Sequence, residues 1–246
     1  MGKFLTYQEI QDKCEQLHEL YQINEEKFYK VVEKWANHNT APEQKLLASF
    51  QELLEVVSDE VAGMEEAMEM APTCRLGCAF CCYFPIIVNQ MEAKLMEKTI
   101  NHFPEQRRHE IQDHINGYFA QYGEKIEQLN TLDFDSDADF KQKYKQSLLP
   151  CVMLNTETNQ CMAYEIRPIP CRTYVNYTDP EVCEQNEMPK DTVSYEFLYS
   201  EYMGALNEFL QFLYGEGDTA FIDYPNDVYA HDYLANWFWD SKSNRQ

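Results

Sequence analysis

The sequence predicts a mainly α fold: a helical domain with a small irregular β-hairpin and a Cys-rich metal centre, preceded by a long antiparallel helical hairpin. Three observations predict it. Apolar residues recur every three or four positions over most of the chain. Glycine and proline are sparse, 8 and 10 in 246 residues, as in a protein built mostly of helix. Eight of the nine cysteines fall between positions 74 and 183, around the stretches where the helical period fails.

The N-terminal hairpin comes first. Ile10, Cys14, Leu17 and Tyr21, then Phe28, Val32 and Trp35, predict one helix over residues 4–38. Cys14 lies on its apolar face and reads as a small buried hydrophobe. Thr40-Ala41-Pro42-Glu43 reads as a capping box with proline in the first turn. Leu47, Phe50, Leu54, Val57, Val61, Met64 and Met68 then alternate by threes and fours. Two long helices joined by a short loop predict an antiparallel pair over residues 1–71. Its apolar stripe packs on the rest of the protein, or it serves as a homodimer arm or the seat of another protein partner.

Residues 72–246 read as a cysteine-cluster metal-binding domain with C-terminal helices, expected to form one compact unit. Ala71-Pro72-Thr73 ends the second helix, and Gly77 suits a tight turn with positive φ. Tyr83–Val88 is a short extended run. Asn89 with Glu92 three residues later signals a helix start, and Pro104 opens a further helix to about Leu129. Asp133, Asp135, Asp137 and Asp139 have the alternation of a calcium loop, but Ala138 stands where the loop glycine belongs and Tyr144 where the bidentate glutamate belongs; they read as a solvated linker. A short helix is expected over roughly 138–148. Cys151–Leu154 and Gln160–Tyr164 flank a turn-rich spacer and predict the hairpin. Pro168 and Pro170 stiffen the loop that carries Cys171. Tyr195, Leu198, Tyr202, Leu206, Phe209 and Phe212 predict a helix stopped by Gly215 and Gly217, and a last helix is expected from about Asp227.

Composition excludes several functions. The formal charge is −22, from 20 Lys and Arg against 42 Asp and Glu. A nucleic-acid groove needs clustered cations, so no nucleic-acid partner is expected. An anionic membrane surface would repel the chain. No segment nears the roughly 18 apolar residues of a membrane span, and the first ten residues lack an apolar signal core. The expected location is cytoplasmic, where clustered thiols bind metal or react more often than they form disulfides.

The chemistry therefore rests on Cys74, Cys78, Cys81, Cys82, Cys151, Cys161, Cys171 and Cys183. Thiolate clusters select zinc, copper(I) or iron–sulfur centres. Cys78-x2-Cys81 has zinc-knuckle spacing, and four cysteines close one tetrahedral zinc or one four-iron cluster. Arg75, Arg167 and Arg172 stand beside the cysteines and could offset thiolate charge. The histidines are scattered, with no pair at i, i+4; His109 and His114 read as solvated. No Ser–His–Asp signature and no phosphate loop are present.

These residues carry a resemblance. Cys74-x3-Cys78-x2-Cys81-Cys82, Cys151-Val-Met-Leu, and Cys161-Met-Ala-Tyr164-Glu-Ile-Arg167-Pro168-x2-Cys171-Arg172 resemble the CxxCxxCC cysteine-cluster family, also called YkgJ-like. Met153 stands where that family has Phe, and Met162-Ala163 replace its usual small residue and Ile. The resemblance spans about residues 72–185. It implies a protein that chelates zinc or iron, with an iron–sulfur cluster as one form of the iron site, and it implies little about biological role. The Cys74-x3-Cys78-x-Phe80-Cys81 run also resembles the radical S-adenosylmethionine signature, but the alternating strands and helices of that fold are missing. Flagellin lysine methylases carry a similar cysteine cluster. A metal-dependent enzyme, either S-adenosylmethionine-dependent and lysine methylase-like or an Fe–S oxidoreductase, is the competing class, although no glycine-rich nucleotide turn is visible.

Overall fold

The computed structural model describes residues 4–185 and 188–243. In chain order the helices and strands are α1 (Tyr7–Glu15), α2 (Leu17–Leu20), α3 (Glu25–Ala36), α4 (Pro42–Ala67), β1 (Ile87–Asn89), α5 (Gln90–Asn101), α6 (Glu105–Leu129) and α7 (Phe140–Gln146). Then follow β2 (Leu154–Asn155), β3 (Gln160–Cys161), α8 (Ile169–Thr173), β4 (Tyr174–Asn176), α9 (Glu181–Gln185) and β5 (Thr192–Ser194). The chain ends with α10 (Leu198–Gly215), α11 (Asn226–Tyr229), β6 (His231–Tyr233) and α12 (Leu234–Ser243). The fold is mainly α, with strands only in small antiparallel pairs. Among the described residues, no helix is long and apolar enough to cross a membrane.

The chain divides into two compact units. The first comprises Met1–Arg75, Glu165–Gln185 and Pro189–Tyr224; the second comprises Leu76–Tyr164, Asn186–Met188 and Pro225–Gln246.

In the first unit α3, α4 and α10 pack against one another, and α8 packs on α4. The apolar stripe of α4 is buried as its spacing predicts, from Leu47 to Met68. Phe28, Phe50, Leu53, Leu54 and Phe209 fill the core. The single helix expected over 4–38 is instead interrupted at Tyr21–Asn24, between α2 and α3. The cause is tertiary. Glu60 of α4 is wholly buried (0% exposed). Its carboxylate accepts from the Asn24 N–H at 3.1 Å, the Tyr21 hydroxyl at 2.9 Å and Lys27 Nζ at 2.6 Å. A buried carboxylate needs such partners, and an Asn24 N–H bonded within the preceding helix could not supply one. The Thr40 capping box also fails. Pro42 occupies the first helical position, Ala41 becomes the N-cap without a side-chain bond, and the Thr40 hydroxyl turns to Gln44. Gly217, at φ +84°, follows α10 as expected of a helix stop.

In the second unit the Asn89 signal is realised as a capping box. The Glu92 N–H donates to Asn89 Oδ1 at 2.8 Å, and the Asn89 N–H donates back to Glu92 at 3.4 Å. The helix expected from about Asp227 is a single turn, then strand β6, then α12. Strand β6 pairs antiparallel with β1, Ile87 opposite Tyr233 and Asn89 opposite His231. No local pattern announces a partner so distant in sequence. Lys94 on α5 closes on the buried Asp227 at 2.7 Å, and Trp237 of α12 donates to the Val88 carbonyl at 3.2 Å. In the linker, Asp133 and Asp137 accept from the N–H groups of Asp135 and Asp139, and Lys143 holds Asp137 at 2.7 Å.

Glu60 yields a pH prediction. Burial alone would raise its carboxyl. The bonds from Lys27, Asn24 and Tyr21 outweigh that and hold it below the ordinary carboxylate range. Its stabilisation is therefore complete above that range and is lost as pH falls through it. Glu60→Gln should cost about 2 kcal/mol in urea unfolding at neutral pH, a loss limited because Lys27 stays partly in water. The gap between wild type and variant should close on acidification below about pH 4.

Candidate metal centre

The cysteine motif opens on a glycine turn. Gly77 has φ +90° and nothing within 4 Å of an added Cβ, so the backbone conformation, not crowding, calls for glycine. One 3₁₀ turn, Phe80–Tyr83, then presents Cys81 and Cys82. The Cys82 N–H donates to the Ala79 carbonyl at 3.0 Å, and the Cys82 carbonyl accepts the N–H of Cys151 at 2.7 Å. That last bond fastens the distant hairpin to the turn. Strands β2 and β3 pair Leu154 with Cys161 and Asn155 with Gln160. The Asn155 side chain closes their loop by accepting from the N–H groups of Glu157 at 3.0 Å and Thr158 at 3.1 Å. The hairpin thus stands where its sequence predicts.

Cys151 lies within electrostatic reach of two other thiols. Burial pushes its pKa up to about 12; Cys161 and Cys81 push the same way, and the Met153 N–H works against them. Two segments far apart in sequence, the turn and the hairpin, thereby contribute sulfur to one neighbourhood of the second unit. Cys78 and Cys82, both half-buried, are carried on the same unit.

Helix α6 holds this neighbourhood in place. Its Arg107 donates to the Met162 carbonyl at 3.1 Å, and His114 Nε2 to the Val152 carbonyl at 2.9 Å. Tyr118 donates to the Pro150 carbonyl and Lys125 to the Ser147 carbonyl, each at 2.8 Å. Spacings of seven, four and seven put these four residues on one helix face. His114 was expected in solvent with His109. His109 is exposed, but His114 is half-buried. Burial lowers its pKa against the opposing effect of the Val152 bond, which keeps the ring neutral with its N–H on the carbonyl. A cation, Lys145, is 7% exposed and lies 4.2 Å from the ring centre of Phe84, just after the turn.

The first unit carries Cys74, Cys171 and Cys183. The exposed Cys74 sulfur accepts the Asn176 N–H at 3.4 Å. Asn176 is 2% exposed and fastens this segment: its carbonyl accepts the Thr73 N–H at 2.8 Å, and its amide donates to the Thr73 hydroxyl at 3.0 Å. Cys171 sits in α8, its N–H on the Pro168 carbonyl at 3.0 Å; Cys183 sits in α9, its N–H on the Pro180 carbonyl at 3.1 Å. Arg172 is a brace. Its guanidinium donates to the Arg167 carbonyl at 2.8 Å, to Ser58 Oγ of α4 at 2.7 Å and to the Glu165 carbonyl. Cys14, on α1 of the same unit, is half-buried, and burial raises its thiol.

The structure brings Cys81 and Cys161 to Cys151, but it does not assemble a finished coordination sphere. Among the described residues no three His, Cys, Asp or Glu side chains converge as metal ligands, and none of the nine cysteines is in a disulfide. Sequence reasoning missed Arg107, His114, Tyr118 and Lys125. Their shared heptad-like spacing in a polar helix was the available signal.

Comparison with known proteins adds one finding. Residues 73–192 match the CxxCxxCC family model, described as "Putative zinc- or iron-chelating domain". The match runs from just before Cys74 to beyond Cys183 and supports metal binding. No curated protein and no solved structure matches the chain.

Two substitutions test the supports. Tyr118→Phe leaves the Pro150 carbonyl without its hydroxyl partner and should cost about 1–3 kcal/mol by denaturant unfolding. It should also speed alkylation of Cys151 in the unfolding-free regime, read by mass spectrometry. Arg172→Lys keeps the charge but cannot reproduce the three-way fork. It should destabilise by about 2 kcal/mol; a fully stable variant would show that the brace does not matter.

Proposed function

We propose, taking the match of residues 73–192 to a zinc- or iron-chelating domain as premise, that this protein holds zinc or iron in a thiolate centre nucleated by Cys81, Cys151 and Cys161. The observation that carries the reading is the 2.7 Å bond from the Cys151 N–H to the Cys82 carbonyl, which fastens the hairpin that bears Cys151 and Cys161 to the turn that bears Cys81 and Cys82. Thiol groups crowded in a poorly hydrated place resist ionisation one by one. A soft cation removes that conflict, because it takes the place of the protons and supplies the missing positive charge. Cys78 and Cys82, on the same unit, are the further proposed ligands of that centre; Cys74, Cys171 and Cys183, carried by the first unit, are proposed as metal ligands in their own right. Eight thiolates suffice for two tetrahedral zinc ions, or for an iron–sulfur centre with ligands to spare.

Metal binding then completes the local order. The hairpin and the turn are already joined by the Cys151–Cys82 backbone bond and held by α6, so little chain entropy remains to be lost when sulfur atoms close on the ion. A reducing cytosol is the compartment in which such a thiol set persists.

Anaerobic purification with metal analysis and a visible spectrum tests the proposal. Zinc in a colourless protein, or iron with acid-labile sulfide and broad absorption near roughly 400 nm, would each support chelation and decide its form. A chain that holds neither metal, and takes up neither on reconstitution, would overturn it. Cys151→Ser should lower metal content several-fold, whereas Cys14→Ser should leave it unchanged. Apparent affinity should fall as pH drops, because each bound thiol must release its proton.

A further inference from the structure

The first unit has a groove unrelated to the cysteines. Helices α3 and α10 lie against each other, and a groove of about 640 Å³ runs beside them. Its apolar surface comes from Val32 and Tyr29 of α3 and from Phe212 of α10, and its acidic rim from Glu25 and Glu33 of α3 and Glu208 of α10. The α10 stripe predicts a packed Phe212, yet Phe212 is 40% exposed and Tyr29 is 39% exposed. Lys30 is the cation of the lining, and it already stands 3.2 Å from Glu26. Glu201, earlier on α10, feels the same crowding of acids: burial and then the charge of Glu25 raise its carboxyl.

We propose that this groove is the docking site of a basic amphipathic helix from another protein. Three arguments fix the occupant. Large aromatic side chains half-exposed in a groove are the usual anchors of a protein interface, and the rim supplies charge of one sign, so the partner segment is cationic. The acids are spread out. Glu25 and Glu33 are eight residues apart on one helix, about 12 Å, which no single coordinated ion can bridge but two basic residues a heptad apart on a second helix can. A second copy of this chain is a poor fit, because it brings the same charge of −22. The 12 residues of α3 offer about 18 Å, enough for three turns of the guest. Arginine suits the rim best, since its guanidinium can meet a carboxylate and stack on Tyr29 together.

The test uses the whole 246-residue chain as purified. The probe is a labelled helical peptide of roughly 18 residues, with arginines along one edge and leucines beside them, read by fluorescence anisotropy at low and high salt. Binding should weaken with salt. The variant E25Q/E33Q/E208Q should bind about tenfold more weakly, and Phe212→Ala should weaken binding at least as much. A variant that removes three charges from α6 of the other unit, E105Q/E124Q/E127Q, should bind as wild type does. Equal weakening in both triple variants would mean diffuse attraction to an acidic protein and would overturn the proposal. So would absence of binding to wild type, or a wild-type dimer by sedimentation that Phe212→Ala abolishes, which would make the occupant a second copy. None of these substitutions touches a cysteine, so failure here leaves the metal reading standing.

Discussion

The candidate centre depends on one constraint: the carbonyls of Ser147, Pro150 and Val152, on either side of Cys151, take their partners from outside their own segment. Residues 147–153 belong to no helix or ladder of their own, yet several of them are buried. Buried carbonyls without partners are costly. Helix α6 answers with side chains, one donor after another along a single face, and the turn at Cys82 accepts the one N–H that matters most for position. An irregular strand thereby acquires the fixity of the helix beside it. The sulfur of Cys151 inherits that fixity, as does the neighbourhood it forms with Cys81 and Cys161.

The same logic recurs in the first unit with different chemistry. Asn176 satisfies the backbone around Thr73 and Cys74, and Arg172 satisfies the proline-stiffened loop that leads to Cys171. In both units the residues next to the cysteines are occupied by backbone bonding. Arg172, whose position beside a cysteine suggests a counter-charge to thiolate, has its donors committed to two carbonyls and a serine. Its strength lies in planarity and in the number of its donors, and its charge comes second.

What could be read in the sequence was whatever is local. The α4 stripe, the Asn89–Glu92 cap, the hairpin at 154–161 and the glycine stop after α10 all follow from spacing within a few residues, and all are present. What could not be read is set by distant partners. The 4–38 helix breaks because a carboxylate on α4 claims the Asn24 N–H, and nothing near Asn24 says so. Phe212 keeps the period of a buried residue but is part-exposed on the groove beside α3. For the candidate centre, the cysteines themselves were plain from their clustering. The α6 face that supports them was hidden, because arginine, histidine and lysine in a polar helix look like solvated residues until the carbonyls they reach are known.

The pairing of β1 with β6 sets an order on synthesis. Asn89 lies opposite His231, 142 positions later, so most of the chain must be made before the two halves of one short ladder can meet. Loop-closure entropy makes such pairings late and slow. On the ribosome the turn, α5, α6 and the hairpin emerge while their second edge is still missing, and the buried side of α5 waits for α11 and α12. Late in that interval the thiols of Cys81, Cys151 and Cys161 emerge from the exit tunnel on an unfinished scaffold. The nascent chain is therefore most vulnerable to oxidation, and most open to a passing metal ion, before its last strand arrives.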